Sequence, residues 1–164
     1  MSETLEEKIS LEKVMENLNK EISQIKHKTM AGYIDAAIII RRSMKYNPPK
    51  IPVDTGNLRA SWFTSSITGT TTNVSNHNPD FKGKDAGKMA DQHSKVVEEY
   101  SNKAFAAKEP TMYLGFSANY AAAVHESYGK HFRRPGAGAG FFVSAIRRNK
   151  DRIIEKIRKE AKIE

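Results

Sequence analysis

The sequence predicts an α+β fold in which a small antiparallel sheet is packed by a long N-terminal helix, a short alanine-rich helix and a C-terminal amphipathic helix. Three observations carry that expectation. Apolar residues recur in steps of four and three through Leu11, Met15, Leu18, Ile22 and Ile25, and continue through Tyr33, Ala37 and Ile40, which is the spacing of one helix face. Two segments far apart in the chain, "RASWFTSSITGTTTNV" and "TMYLGFS", are rich in β-branched and aromatic residues and lack a helical period. Helical spacing then returns at Phe142, Ile146, Ile153 and Ile157.

The first helix is expected from about Leu5 to Tyr46, with Glu and Lys filling the positions between its apolar residues. At about 1.5 Å per residue it would be roughly 60 Å long, too long for one domain of this size to cover, so its N-terminal part projects towards a neighbouring subunit. Pro48 and Pro49 stop it, since proline lacks the N–H and biases the preceding residue out of the helical region. A strand follows from about Leu58 to Thr70, and a second from Thr111 to Ser117, with Met112, Leu114 and Phe116 on one face and Tyr113 and Gly115 on the other. Between the strands, an inserted segment of about 73–108 opens as a loop and holds a helix marked by Met89, Val96, Val97, Tyr100 and Ala104. "NYAAAVHES" reads as a short helix lying tight on the sheet, capped by Ser117 or Asn119 and stopped near Gly129. "KHFRRPGAGAG" is a basic glycine-rich loop with little reason to be rigid alone, and the last helix runs from about Gly140 to Lys162. No internal repeat is visible, and residues 1–164 are expected to form one domain.

Composition narrows the function. Only 38% of the 164 residues are hydrophobic and the mean hydropathy is -0.62, so a solvated element dilutes the core. With no cysteine, disulfides and thiolate metal sites are excluded, and a zinc finger with them. The best apolar run, "AAIII", is far shorter than the roughly 20 residues of a membrane span, and "MSETLEEKIS" is too acidic for a secretory signal. A chain made in the cytoplasm and without membrane contact is expected. The net charge of +8 is concentrated at the C-terminal end, where residues 130–164 carry eleven basic and four acidic groups. Such a helix face meets water, nucleic acid or an acidic protein surface.

"IPVDTGNLRASW" contains Asp54, Thr55 and Gly56, the triplet by which one class of protease carries its catalytic aspartate. That chemistry needs two such loops facing each other so that two carboxylates share a proton, on a fold that is almost wholly β. A dimer could supply the second copy, yet this chain is mostly helical by pattern. The better-supported reading is a turn in which Asp54 or Thr55 caps, Gly56 relieves the backbone and Leu58 enters the core. His125 and Glu126, with His131 beyond and His77 and His93 in the insertion, show none of the three- or four-residue helical spacing of metal ligands. No metal or cofactor is expected, and His125 is read as a partly buried histidine at a subunit contact. "PGAGAG" lacks the order of a phosphate-cradling loop. Arg133 and Arg134, with Arg147, Arg148, Arg152 and Arg158, suit phosphate contacts that read no sequence.

Taken together, "VDTGNLRASW", "MYLGFSANYAAAVHES" and "FFVSAIRR" resemble, in order and spacing, the head-to-tail joining or tail-completion proteins of tailed bacteriophages, a family that also includes minor capsid and tail-component proteins. In that family a turn like the one from Pro52 to Ser61 enters the first strand. A segment like Tyr120, Ala121, Val124, His125 and Glu126 follows the second, and an aromatic pair like Phe141 and Phe142 opens the last helix. The resemblance covers about residues 45–68 and 110–150; the 73–108 insertion and the long first helix depart from it. It implies a non-enzymatic virion protein, a homo-oligomeric ring such as a hexamer or dodecamer. That ring would sit at the neck or top of the tail, beside connector and tail proteins, with genomic DNA passing through its channel and touching it without sequence preference. On this reading Leu58 and Trp62 serve the core, Tyr120, Ala121 and Val124 dock helix on sheet, and Arg133 and Arg134 meet partners. The alternatives are a DNA-binding accessory protein using the C-terminal helix, and a dimeric aspartic protease at Asp54.

Overall fold

A computed structural model describes residues 5–67 and 79–162. In chain order its elements are helix α1 (Leu5–Tyr46), helix α2 (Asn57–Ala60), strand β1 (Trp62–Ser66), helix α3 (Ala86–Ala106), strand β2 (Met112–Phe116), helix α4 (Ala121–His125) and helix α5 (Phe141–Ala161). The fold is thus mixed α+β, with a two-stranded antiparallel sheet among the described residues.

The long helices pack where small residues permit it. The C-terminal half of α1 lies along α5 and buries Met30, Ala36, Ala37, Ile40 and Met44. Gly32 sits so close to α5 that a Cβ built on it would lie 2.8 Å from Ile157 Cα. The glycine, with Ala36 and Ala37, lets the two backbones approach, and α5 answers with its own buried Phe141 and Ala145. After Tyr46 the chain turns through Pro48 and Pro49.

The sheet pairs Trp62 with Phe116 and Ser66 with Met112, so residues two apart share a face. All five positions of β1 are buried because both faces are covered. On one face Phe63 stacks near Tyr100 of α3 at 5.5 Å and Ser65 Oγ donates to Val97 O at 3.4 Å. Gly115, cross-strand from Phe63, leaves room for that ring, whose nearest atom would be 3.6 Å from an added Cβ. On the other face Trp62 joins the core of Ile40, Met44, Ile51, Leu58, Ala118, Phe141 and Ala145. The layers are therefore α3, the sheet, and α1 with α5.

Three expectations need correction. The segment from Leu58 to Ala60 is a helical turn, and the strand starts at Trp62. Gly56 holds φ at 90°, a left-handed backbone that redirects the chain before the strand can begin. The expected strand residues 68–70 and the insertion residues 73–78, with His77, lie outside the described residues. Secondly, α4 is five residues long and is only partly covered: Ala121 and Val124 pack against the core while Ala122 and Ala123 are exposed. Neither Ser117 nor Asn119 caps it; Tyr120 occupies the cap position without a side-chain bond. Thirdly, the glycine-rich loop is tethered. Lys50 N donates to Gly136 O at 2.7 Å and Gly138 N to Lys50 O at 3.2 Å, a parallel bridge that ties the loop to the exit of α1.

Candidate interaction surfaces

The Asp54 turn is built from local bonds and one long-range clamp. Thr55 Oγ1 accepts from Asn57 N at 3.4 Å, and Ser61 Oγ donates to Leu58 O at 2.8 Å, so the turn satisfies much of its own backbone. Asn57 is buried and makes a reciprocal pair with the backbone of Lys82: Nδ2 donates to Lys82 O at 3.0 Å, and Lys82 N donates to Oδ1 at 2.8 Å. This amide fixes the segment that leads into α3. Asp54 points away from the core, and its nearest ion partner is Arg133 at 3.5 Å, with both side chains more than four-fifths exposed.

Arg134 differs from its neighbour. Its guanidinium donates to Ile51 O at 3.0 Å and to Lys45 O at 2.5 Å, spanning the end of α1 and the segment after it. Arg148 likewise reaches Ser43 Oγ at 2.9 Å and the carbonyl of Pro48. Two of the arginines that sequence assigns to partner or phosphate contact therefore bond within the chain, and Arg133 remains exposed.

The three segments that carry the resemblance meet around one indole. Trp62, from the first, lies 5.3 Å from Phe116 of the second and 6.0 Å from Phe142 of the third, both edge-on. Phe116 lies 5.8 Å from Phe141, and the His125 ring stands edge-on to Phe141 at 4.9 Å. Such edge-to-face contacts add about 0.5–1.5 kcal/mol each beyond the area they bury. His125 Nδ1 is buried with no hydrogen-bond partner among the described residues. Glu126 is exposed at the end of α4, and Tyr120 is 38% exposed, with burial raising its phenol above the ordinary value.

Two open cavities flank the turn. The larger, about 700 Å³, is lined by Arg41, Arg42, Lys45, Arg59 and Lys82 with one carboxylate, Asp80, which pairs with Lys82. Trp62, Phe116 and Ile51 supply apolar wall. Burial first, and the Arg59 charge second, hold Arg41 below its ordinary pKa. The cavity can take carboxylate or phosphate oxygens. The smaller cavity, about 570 Å³, runs between Leu58, Met89, Tyr120, Val124 and Phe132, with Asp54 at its border. No group of three or more candidate metal-ligating side chains occurs among the described residues.

Sequence reasoning missed three elements of this region. The basic cavity draws on Arg41, Arg42 and Lys45 at the end of α1, on Arg59, and on Lys82, none of which forms a charge run. Asn57 carried no signal beyond following Gly56. Sequence spacing tests His93 only as a metal ligand; it is buried, and its Nδ1 lies 2.7 Å from Ser117 Oγ, with its ring against Phe81. That is the spacing of a nucleophile and its base. Neither residue lines the cavities above, so the pair acts as a polar tie between α3 and the end of β2.

Fold and surfaces together define an α+β module with an aromatic core made from three separate segments, a cationic cavity and a helix that outruns its own packing. Comparison with protein-family models, with curated proteins and with solved structures yields no match. Among the described residues no helix is long and apolar enough to cross a membrane.

Proposed function

We propose that this chain is a structural protein of a tailed-bacteriophage virion, forming a ring at the neck or the top of the tail that joins the DNA-filled head to the tail. The observation that carries the reading is the meeting of the three resembling segments around Trp62, since segments so far apart in sequence supply one packed cluster. Exposed apolar side chains on α1, an α4 whose Ala122 and Ala123 face solvent and a cavity lined by five basic side chains and one carboxylate are surfaces suited to neighbouring subunits. The turn role of Asp54 agrees with its exposure and its contact with Arg133, and a helical fold with two short strands is a poor frame for paired Asp-Thr-Gly loops.

Mass measurement and electron microscopy of the purified chain test this. Annular particles, and the chain's detection by mass spectrometry in finished virions, are the expected results. A strictly monomeric protein absent from particles would refute it. The cationic cavity also favours a second reading, a DNA-binding accessory protein. Tight duplex binding by the isolated subunit, with affinity falling steeply with salt, would support that reading over the first.

A further inference from the structure

The face of α1 that packs on α5 does not stop where α5 stops. Met30, Tyr33, Ala37, Ile40 and Met44 form the covered stripe, and α5 ends beside Lys28, whose Nζ donates to Lys162 O at 3.3 Å. Towards the N-terminus nearly the same side of the helix continues as Ile25, Ile22, Leu18 and Met15. At about 100° per residue, Leu18 and Ile22 lie only about 40° around the axis from Ile40 and Met44. Val14, Met15, Leu18 and Ile22 are 59%, 56%, 54% and 41% exposed, and every residue from Lys13 to Gln24 is exposed. An established helix–helix seam thus continues uncovered onto an arm that projects past its partner.

We propose that this arm is a dimerisation element in which the arms of two copies of the chain form a parallel, in-register coiled coil. The spacing is heptad: Met15 and Ile22 fall at a, Leu18 and Ile25 at d, and Val14 alone of the residues 13–28 outside those positions is a large apolar one. Charge selects the orientation. In the parallel pair Glu21 at g faces Lys26 at e of the other copy, twice by symmetry. In the antiparallel pair that keeps Met15 opposite Ile25 and Leu18 opposite Ile22, Glu21 faces Glu21. The polar face carries Lys13, Glu16 and Lys20, with His27 beyond them, and so lacks the unbroken row of basic residues of a helix made for anionic lipid.

This goes beyond the ring reading, because a two-fold contact closes on itself and cannot build a ring without a second surface. The two therefore fail separately. The full chain is to be examined by sedimentation velocity over a concentration series, with Leu18→Asp, Glu21→Lys and the double variant Glu21→Lys/Lys26→Glu. The wild type should show a two-fold association that Leu18→Asp abolishes, while fluorescence of the single tryptophan, buried far from the arm, stays unchanged. Glu21→Lys should weaken pairing by about three- to tenfold, and the double variant should restore it. Ile22→Cys gives the chain its only cysteine and should form a disulfide-linked dimer on mild oxidation, as parallel register requires and antiparallel register forbids. An assembly whose mass Leu18→Asp leaves unaltered, or an Ile22→Cys chain that stays unlinked, would overturn the proposal. A wild type that is monomeric up to about 0.1 mM would also overturn it and assign the stripe to a different protein.

Discussion

Replacing Gly32 by alanine tests the α1–α5 seam. The added Cβ would lie 2.8 Å from Ile157 Cα and 3.4 Å from both Ile157 O and Glu160 Cβ. The first contact is with backbone, so no side chain can swing aside, and the helices must separate by roughly 1 Å to restore ordinary contact. Overpacking of this kind costs about 1–3 kcal/mol. Alanine recovers up to about 1 kcal/mol of helix propensity, so the net loss is about 0–2 kcal/mol, or up to several degrees in melting temperature for a chain of this size. Gly87, near the start of α3, is the control, because an added Cβ there meets nothing within 4 Å. Gly87→Ala should leave stability unchanged or raise it by a few tenths of a kcal/mol. Urea unfolding followed by Trp62 emission would measure both midpoints with the slope held as a check. If Gly32→Ala stabilises as much as Gly87→Ala does, the helices are not in the contact described and the argument fails.

Arg134→Ala removes two charge-assisted bonds to backbone carbonyls and should cost about 1.5–3 kcal/mol, whereas Arg133→Ala, exposed beside Asp54, should stay within about 0.5 kcal/mol; urea midpoints decide. Asn57→Ala breaks the paired bonds to Lys82 and should cost about 2 kcal/mol, with faster amide exchange at Lys82 as the local signature. The Asp35 carboxylate, 2.9 Å from Lys156 Nζ, raises that ammonium above its ordinary value by hydrogen bonding and then by charge. Because the folded pKa is the higher one, the contribution is complete below about pH 10 and is lost as pH rises through the folded value. Thermal scans across that range should show a smaller alkaline decline in Asp35→Asn than in the wild type.

Helices α1 and α5 were legible because their signal is local: apolar spacing and a Pro-Pro stop mark α1, and renewed spacing after glycine marks α5. The second strand was legible from alternation and the first from β-branched and aromatic content; the sheet is antiparallel, with Leu58 and Trp62 in the core, as expected. What local pattern could not show depends on partners distant in sequence. The turn at Leu58 is held partly by an amide reaching residue 82, and β1 hides Thr64, Ser65 and Ser66, whose polarity argues for exposure. The glycine-rich loop read as slack because its anchor, Lys50, lies far upstream. The basic cavity is assembled from three separate stretches, and neither net charge nor any single motif points to it.

The partnership of α1 with α5 also has a consequence for biosynthesis. The ribosome releases the face from Met30 to Met44 about a hundred residues before Phe141–Ala161 arrives to shield it, roughly 5–20 s at ordinary elongation rates. Throughout that interval a greasy ribbon of nascent chain is open to chaperones and to sibling chains on the same messenger, so slowed translation of the intervening stretch should lower soluble yield.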